Sequence, residues 1–73
     1  MNNDSFAMID NIISIYNKGL LSTEETMQRT IEQIDNYTWF INDIDIKIKA
    51  KNILYKRFFD KMHKAIIAKE RRQ

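Results

Sequence analysis

Four residue types that shape many small proteins are scarce in this chain of 73 residues. Cysteine and proline are absent, and glycine and histidine occur once each, as Gly19 and His63. Without cysteine the chain forms no disulfide, and a lone histidine does not make a zinc site. We therefore expect no metal and no cofactor. Without proline, few residues would end a helix once it has begun.

The chain also lacks the run of about 20 apolar residues that a membrane-spanning helix needs. Its first residues carry no basic segment of the kind that opens a signal peptide. These absences predict a cytoplasmic protein and make a membrane partner the weakest alternative. Valine is missing, whereas isoleucine, asparagine and lysine are abundant. Such a composition is typical of AT-rich genomes and indicates a low-GC bacterium or one of its phages as the source.

Residues that could carry out catalysis form no recognisable pattern. There is no glycine-rich phosphate loop and no serine paired with a base. The carboxylates have no spacing that suits general acid and base catalysis. We predict that the protein is not an enzyme and that it acts by binding.

The length of the chain limits its stability. A domain of this size buries only about 60% of the surface that its unfolded chain exposes. Small folds usually gain further stability from disulfides, from a metal or from association. Because the first two are excluded, we expect a homo-oligomer, a complex with a larger protein, or both.

Charge is divided between the two halves of the sequence. Residues 1–45 contain eight acidic residues and only Lys18 and Arg29 as bases, which gives a net charge of −6. Residues 46–73 contain ten basic residues and only two acidic ones, which gives a net charge of +8. An asymmetry of this size concerns partners and association rather than the fold.

The first helix is predicted over residues 5–18, with Asp4 or Ser5 as its N-cap, because five apolar residues recur there at helical spacing. These residues are Phe6, Ile9, Ile12, Ile13 and Tyr16. Gly19 suits the left-handed position that ends a helix in a Schellman motif, with Leu20 packing back on the helix.

The second helix is predicted over residues 22–36. Ser22 and Glu25 have the spacing of a capping box, in which each side chain binds the backbone amide of the other residue. The expected apolar stripe consists of Met27, Ile31, Ile34, Thr38 and Ile41. Trp39 and Phe40 fall off this stripe by about a third of a turn, so the helix should end before them.

Residues 38–50 allow two interpretations. Isoleucines alternate with charged residues over 44–48, and this period of two is typical of a strand. A hairpin of 38–41 with 44–48, turning at Asn42 and Asp43, is therefore one alternative. The helical interpretation is favoured, because the turn lacks glycine and a lone hairpin needs a surface to pack on.

A long third helix is predicted over residues 42–70, capped by Asn42 or Asp43. Its main apolar band spans about 100° of the helix surface. The members of this band are Ile44, Ile48, Tyr55, Phe58, Phe59, Met62 and Ile66. A second apolar set faces the other way and consists of Ile46, Ala50, Ile53, Ile67 and Ala68. The predicted fold is all-α, a single three-helix domain over residues 1–73 in which a helical hairpin packs on a long basic C-terminal helix.

Two groups of side chains are predicted to bind a partner. Basic residues form a stripe that projects away from the main band, namely Lys49, Lys56, Arg57, Lys61, Lys64 and Arg71. Apolar residues that could anchor a partner, or alternatively belong to the core, are Trp39, Phe40, Ile46 and Ile53. Buried aromatic residues dominate the energetics of many protein interfaces.

These features favour a small regulator or inhibitor, encoded by a phage or mobile element, that self-associates and engages a larger protein through its third helix. The alternative is a nucleic-acid-binding accessory protein that uses the basic stripe to neutralise phosphates. A helix-turn-helix motif is excluded, because Glu25 and Gln28 would occupy positions where its second helix needs buried apolar residues.

Overall fold

The computed structural model describes residues 3–71. It contains three helices: α1 (Asn3–Asn17), α2 (Thr23–Thr38) and α3 (Ile44–Arg71). No strand occurs among these residues. The all-α prediction is confirmed, and the hairpin alternative over 38–48 is wrong because α3 already begins at Ile44.

The turn after α1 has the geometry of a Schellman motif. Gly19 has a φ of 79°. The Gly19 amide donates to the Tyr16 carbonyl over 3.0 Å, and the Leu20 amide donates to the Ile15 carbonyl over 3.3 Å. These two bonds satisfy carbonyls that the end of a helix leaves without partners. The packing prediction for Leu20 is wrong: its side chain is 70% exposed, and Leu21 is buried instead.

The start of α1 differs from the prediction. The helix begins at Asn3, so Asp4 and Ser5 lie inside its first turn and neither is the N-cap. The capping position falls before residue 3, outside the described residues. A carboxylate at Asp4 still lies where the positive end of the helix dipole favours it.

The predicted capping box opens α2. The Glu25 amide donates to Ser22 Oγ over 3.0 Å, and the Ser22 amide donates to Glu25 Oε1 over 3.1 Å. The bond from the Ser22 amide is the main cause that holds the pKa of the Glu25 carboxyl below its usual value. Nearby, the Tyr16 and Thr23 hydroxyl oxygens lie 2.8 Å apart. This contact ties the end of α1 to the start of α2.

Replacing Ser22 with alanine should therefore lower the free energy of unfolding by about 1 kcal/mol, because α2 loses its N-cap acceptor. Urea denaturation followed by circular dichroism measures this change. Ser14→Ala is the matched control, since Ser14 is an exposed serine inside α1. The capping assignment is wrong if the two variants unfold at the same urea concentration.

The face of α2 that meets the other helices is built mainly from threonine. Its buried residues are Thr26, Thr30, Ile34 and Thr38. Each of the three threonine hydroxyls donates to the carbonyl four residues earlier, over 2.7–2.8 Å. Because the hydroxyls are satisfied within the helix, the threonines can be buried without an unpaired polar group.

This arrangement corrects the predicted stripe of α2. Ile34 and Thr38 are buried as predicted, but Met27 and Ile31 are exposed. Ile41 lies beyond the end of the helix, which extends to Thr38 and so past the predicted end at residue 36. Apolar spacing alone placed the buried face too far round the helix, because it did not count Thr26 and Thr30 among the buried residues.

Because the Thr30 hydroxyl is bonded within α2, its methyl group is the part of the side chain that contributes to packing. Thr30→Val should change the free energy of unfolding by less than about 1 kcal/mol, since an apolar group of the same shape replaces a locally satisfied hydroxyl. Thr30→Ser keeps the hydroxyl but deletes a buried methyl, and should cost about 1 kcal/mol. Urea denaturation of both variants distinguishes the two roles, and a larger loss for valine than for serine would contradict the interpretation.

Helix α3 is capped by Asp43, one of the two predicted residues. Asp43 Oδ1 accepts from the amides of Asp45 and Ile46 over 2.9 and 3.1 Å. The buried residues of α3 are Ala50, Leu54, Phe58, Met62 and Ala65. Of the predicted band, only Phe58 and Met62 belong to this buried face.

The predicted main band of α3 was thus placed on the wrong part of the helix surface. Its exposed members are Ile44, Ile48 and Phe59. Leu54 is fully buried and belongs to the core. Ala50, assigned by sequence to the opposite side, is also buried. Apolar residues occur around most of α3, so their spacing did not identify the face that the hairpin covers.

The three helices alternate in direction. Phe6 near the start of α1 contacts Arg57, and Tyr16 near its end contacts Lys69, which lies further along α3, so these two helices run parallel. Asp35 near the end of α2 is bonded to Lys51 near the start of α3, so α2 runs antiparallel to α3. The described residues extend over 45 × 20 × 18 Å. At a rise of about 1.5 Å per residue, α3 alone spans about this length.

The core lies where the three buried faces meet. Its members are Ile9, Ile13, Tyr16, Ile34, Leu54, Phe58, Met62 and Ala65. The predicted face of α1 is confirmed, with Ile9, Ile12, Ile13 and Tyr16 buried and Phe6 half-buried. Burial of these apolar side chains supplies the main stabilisation of the fold.

Candidate functional site

An apolar cavity of about 540 Å³ opens where the start of α1, the end of α2 and the start of α3 meet. Most of its wall is apolar: Phe6, Tyr37, Phe40, Ile41, Ile46, Ala50 and Ile53 line it together with Ser5 and Lys49. The rim is accessible, since Phe40 and Ile53 are 62% and 50% exposed. We call this feature the apolar cavity.

A second depression lies beside the apolar cavity along α3. It is lined by Phe6, Ile53, Lys56, Arg57, Asp60, Lys61 and Lys64. Phe6 and Ile53 line both features, so the two lie side by side. We call the second feature the basic groove, because four of its lining residues are cationic and one is acidic.

The residues between α2 and α3 shape one edge of the apolar cavity. Trp39 and Phe40 lie edge to face, with ring centroids 6.5 Å apart and planes at 90°. Such a pair holds both rings in a defined orientation. The Lys47 ammonium donates to the Trp39 carbonyl over 3.4 Å. Trp39 itself does not line the cavity and is 73% exposed, so the alternative in which these two aromatics form the core is wrong.

Asp10 holds two of the residues that line the basic groove, Arg57 and Lys61. Arg57 donates to both carboxylate oxygens of Asp10, from Nε over 3.1 Å and from its terminal nitrogen over 2.9 Å. The Lys61 ammonium lies 3.2 Å from Asp10 Oδ1. The guanidinium of Arg57 also covers the Phe6 ring at 4.7 Å from its centroid. Arg57 and Lys61 are therefore held by α1 as well as facing the groove.

These contacts change the titration of the carboxylate. The hydrogen bonds from Arg57 are the main cause that holds the pKa of Asp10 below its ordinary value; burial, the next cause in size, opposes them, and Lys61 lowers the pKa further. The same bonds raise the pKa of Arg57. Hydrogen bonding and opposite charge both favour the ionised forms.

Some of the other cations of α3 contact another part of the chain, and some do not. Lys51 is paired with Asp35 over 3.0 Å, and the Lys69 ammonium lies 3.7 Å from the centroid of the Tyr16 ring. Lys49, Lys56 and Lys64 are exposed and have no ion-pair partner among residues 3–71. These three lysines border the apolar cavity or the basic groove, so both features carry positive charge that is not paired within residues 3–71.

Eight of the ten residues predicted to bind a partner line the two features. They are Phe40, Ile46, Lys49, Ile53, Lys56, Arg57, Lys61 and Lys64. Trp39 lies beside them, and Arg71 lies at the far end of α3. Sequence reasoning missed Phe6, Tyr37 and Ile41. No sequence signal would have found them, because Phe6 and Ile41 fit apolar helical stripes and Tyr37 carries no motif.

Neither a metal site nor a membrane span is formed by the described part of the chain. No group of three or more metal-ligating side chains occurs within residues 3–71. None of the helices over this range is long and apolar enough to cross a bilayer.

Comparison of the chain with protein-family models, with curated proteins and with solved structures gave no match.

The contacts of Asp10 predict a pH-dependent contribution to stability. Because its pKa is lowered in the folded state, the contribution is complete above the ordinary value of 3.8 and is lost as the pH falls through the lower folded-state pKa. Asp10→Asn should therefore be less stable than wild type at neutral pH, and this difference should shrink below that value. Thermal melts over a pH series measure it.

Asp60→Asn is the matched control for this series, because Asp60 lies on the same groove without an ion-pair partner among residues 3–71. It should melt close to wild type throughout. A difference between wild type and Asp10→Asn that stays constant into strong acid would contradict the assigned role.

Proposed function

We propose that the protein is a non-enzymatic binding protein, a regulator or inhibitor that holds an acidic, apolar-anchored segment of a larger protein against α3. The observation that carries this proposal is that the apolar cavity lies directly beside the basic groove, with Phe6 and Ile53 lining both. An apolar side chain of the partner would fill the cavity, and carboxylates on either side of it would meet the lysines.

The shape of the cavity favours a protein segment over a small molecule. Sites for small molecules usually bury most of the ligand surface. Here Phe40, Ile46 and Ile53 are each at least half exposed around the opening. Covering them requires a ligand that extends beyond the cavity, as an anchored peptide or helix does.

The charges indicate an acidic partner. Lys49, Lys56 and Lys64 lack an ion-pair partner within residues 3–71, and Asp60 is the one acidic residue that lines either feature. Complementary charges of this kind accelerate association and fix the register of a complex. A basic segment would meet repulsion along the whole groove.

A nucleic acid would use less of this surface than an acidic, apolar-anchored protein segment would. Arg57 and Lys61 are already bonded to Asp10, which reduces the positive charge available to phosphates. A phosphate backbone would also leave Phe40, Ile46 and Ile53 uncovered. Nucleic-acid binding is therefore the second candidate, and the three exposed lysines are the observation in its favour.

Fluorescence anisotropy with a peptide panel tests the proposal. The probes are helical peptides that carry a central leucine and tryptophan anchor flanked by glutamates, the same anchor flanked by lysines, and the glutamate version with alanine anchors. The first peptide should bind at least about tenfold more tightly than the other two, because it alone supplies both the anchor and the charge. The proposal is overturned if the three peptides bind equally or none binds.

Two variants test whether the first peptide binds at the apolar cavity and the basic groove. Ile53→Glu places a carboxylate at the junction of the cavity and the groove, and should abolish binding of the first peptide. Ile31→Glu is its matched control, because Ile31 is 49% exposed but lies on α2 outside both features. It should bind as wild type does.

A 20-base-pair duplex is the competing probe. If it binds, its affinity should fall by a log–log slope of about 0.9 for each phosphate contact. Duplex binding that is lost in a triple variant of Lys49, Lys56 and Lys64 to glutamine but unchanged in Ile53→Glu, with no peptide bound, would establish the second candidate instead.

A further inference from the structure

A strip without charge runs along the flank of α3 that faces away from the basic groove. At 100° per residue, Ile48, Tyr55, Phe59 and Ile66 lie within about 40° of one another on the helix surface. Phe59 is 57% exposed and Ile48 half exposed, whereas Tyr55 and Ile66 are partly buried against the core. The Tyr55 and Phe59 rings are stacked, with centroids 6.0 Å apart. We call these four residues the apolar seam.

The seam has the spacing of a helix-pairing surface. Together with Asn52 and Met62, the four seam residues form a series separated alternately by four and three residues: Ile48, Asn52, Tyr55, Phe59, Met62 and Ile66. This spacing places side chains along the line of contact between two paired helices. All six are uncharged, although α3 is otherwise rich in lysine. Of this series, Met62 lies in the core of its own chain.

The seam is symmetric about residue 57. Ile48 and Ile66 lie nine residues on either side of it, and Tyr55 and Phe59 lie two residues on either side. When two copies of α3 pair in opposite directions about this point, isoleucine meets isoleucine at each end and the aromatic rings meet at the centre. A surface that matches itself after a two-fold rotation is what a symmetric dimer requires.

Charge selects the same direction of pairing. The start of α3 is acidic, with Asp43 and Asp45, whereas Lys69 and Arg71 outnumber Glu70 in its last turn. Antiparallel pairing sets the acidic start of each helix level with the basic end of the other, and it also opposes the two helix dipoles. Parallel pairing would set like charges and like dipole ends together.

We propose that two copies of the chain associate through the apolar seam, with their α3 helices antiparallel and a two-fold axis close to residue 57. The basic groove and the apolar cavity lie on the other flank of α3 and remain open in this dimer. The dimer does not rest on the proposed function, because the two surfaces share no residue.

Sedimentation equilibrium over the micromolar range tests the association. The wild-type chain should show twice its monomer mass of 8.8 kDa. Phe59→Glu buries an unpaired carboxylate twice per dimer, and should raise the dimer dissociation constant by about a hundredfold or more. Circular dichroism checks that this variant stays helical, as expected for a side chain that is largely exposed.

Ile53→Glu is the matched control, because Ile53 has similar exposure but lies on the groove side of α3. It should remain dimeric. A wild-type mass of 8.8 kDa at every concentration overturns the proposal. So does a dimer that survives Phe59→Glu or dissociates in Ile53→Glu. Because the two variants affect different surfaces, failure of the dimer and failure of peptide binding are told apart.

Disulfide trapping tests the direction of pairing, and the natural absence of cysteine makes the result unambiguous. Mixing an Ile48→Cys chain with an Ile66→Cys chain should give a crosslinked heterodimer under mild oxidation. Ile48→Cys alone should not crosslink, because antiparallel pairing separates the two sites by about 27 Å, far beyond disulfide reach. Crosslinking of Ile48→Cys with itself overturns the antiparallel arrangement.

Discussion

The structure depends on one geometric constraint. Two helices of 15 and 16 residues cannot cover a third helix of 28 residues in which apolar side chains, interspersed with charged ones, occur around most of the helix surface. The hairpin of α1 and α2 covers the face that contains Leu54, Phe58 and Met62. Apolar residues on both flanks of this face stay accessible to solvent. Exposed apolar residues in such number mark interaction surfaces on small proteins.

The two flanks differ in what accompanies their apolar residues. On the flank beside α1, Ile53 lies among lysines and beside the open end of the hairpin, where Phe40 and Ile46 complete the apolar cavity. On the other flank, Ile48 and Phe59 form part of an uncharged strip. The first combination fits a partner of opposite charge, and the second fits a surface like itself. Under the two proposals, one helix serves both the dimer and the bound segment.

The Asp10 cluster determines how much of the basic charge of α3 is used within the fold. Asp10 is 47 residues before Arg57, and its two oxygens take both Arg57 and Lys61. These cations hold α1 in place against α3 and keep Phe6 beside the groove. Lys49, Lys56 and Lys64 are left without such a partner within the described chain. The division of charge seen in the sequence is thus partly used to hold the fold together.

The sequence by itself determined the three helices and the capping of three of their ends, because these depend on neighbouring residues. The Gly19 turn, the Ser22 and Glu25 capping box and the Asp43 cap each involve bonds within five residues of the chain.

Which faces of α2 and α3 are buried was decided only by tertiary packing. Thr26 and Thr30 entered the core because their hydroxyls are satisfied locally, whereas Ile48 and Phe59 stayed outside it because the hairpin is too narrow to reach them. The position of the apolar cavity beside the basic groove likewise required three helix ends to meet. Periodicity measures the angle between side chains on one helix, and it does not contain the position of the next helix.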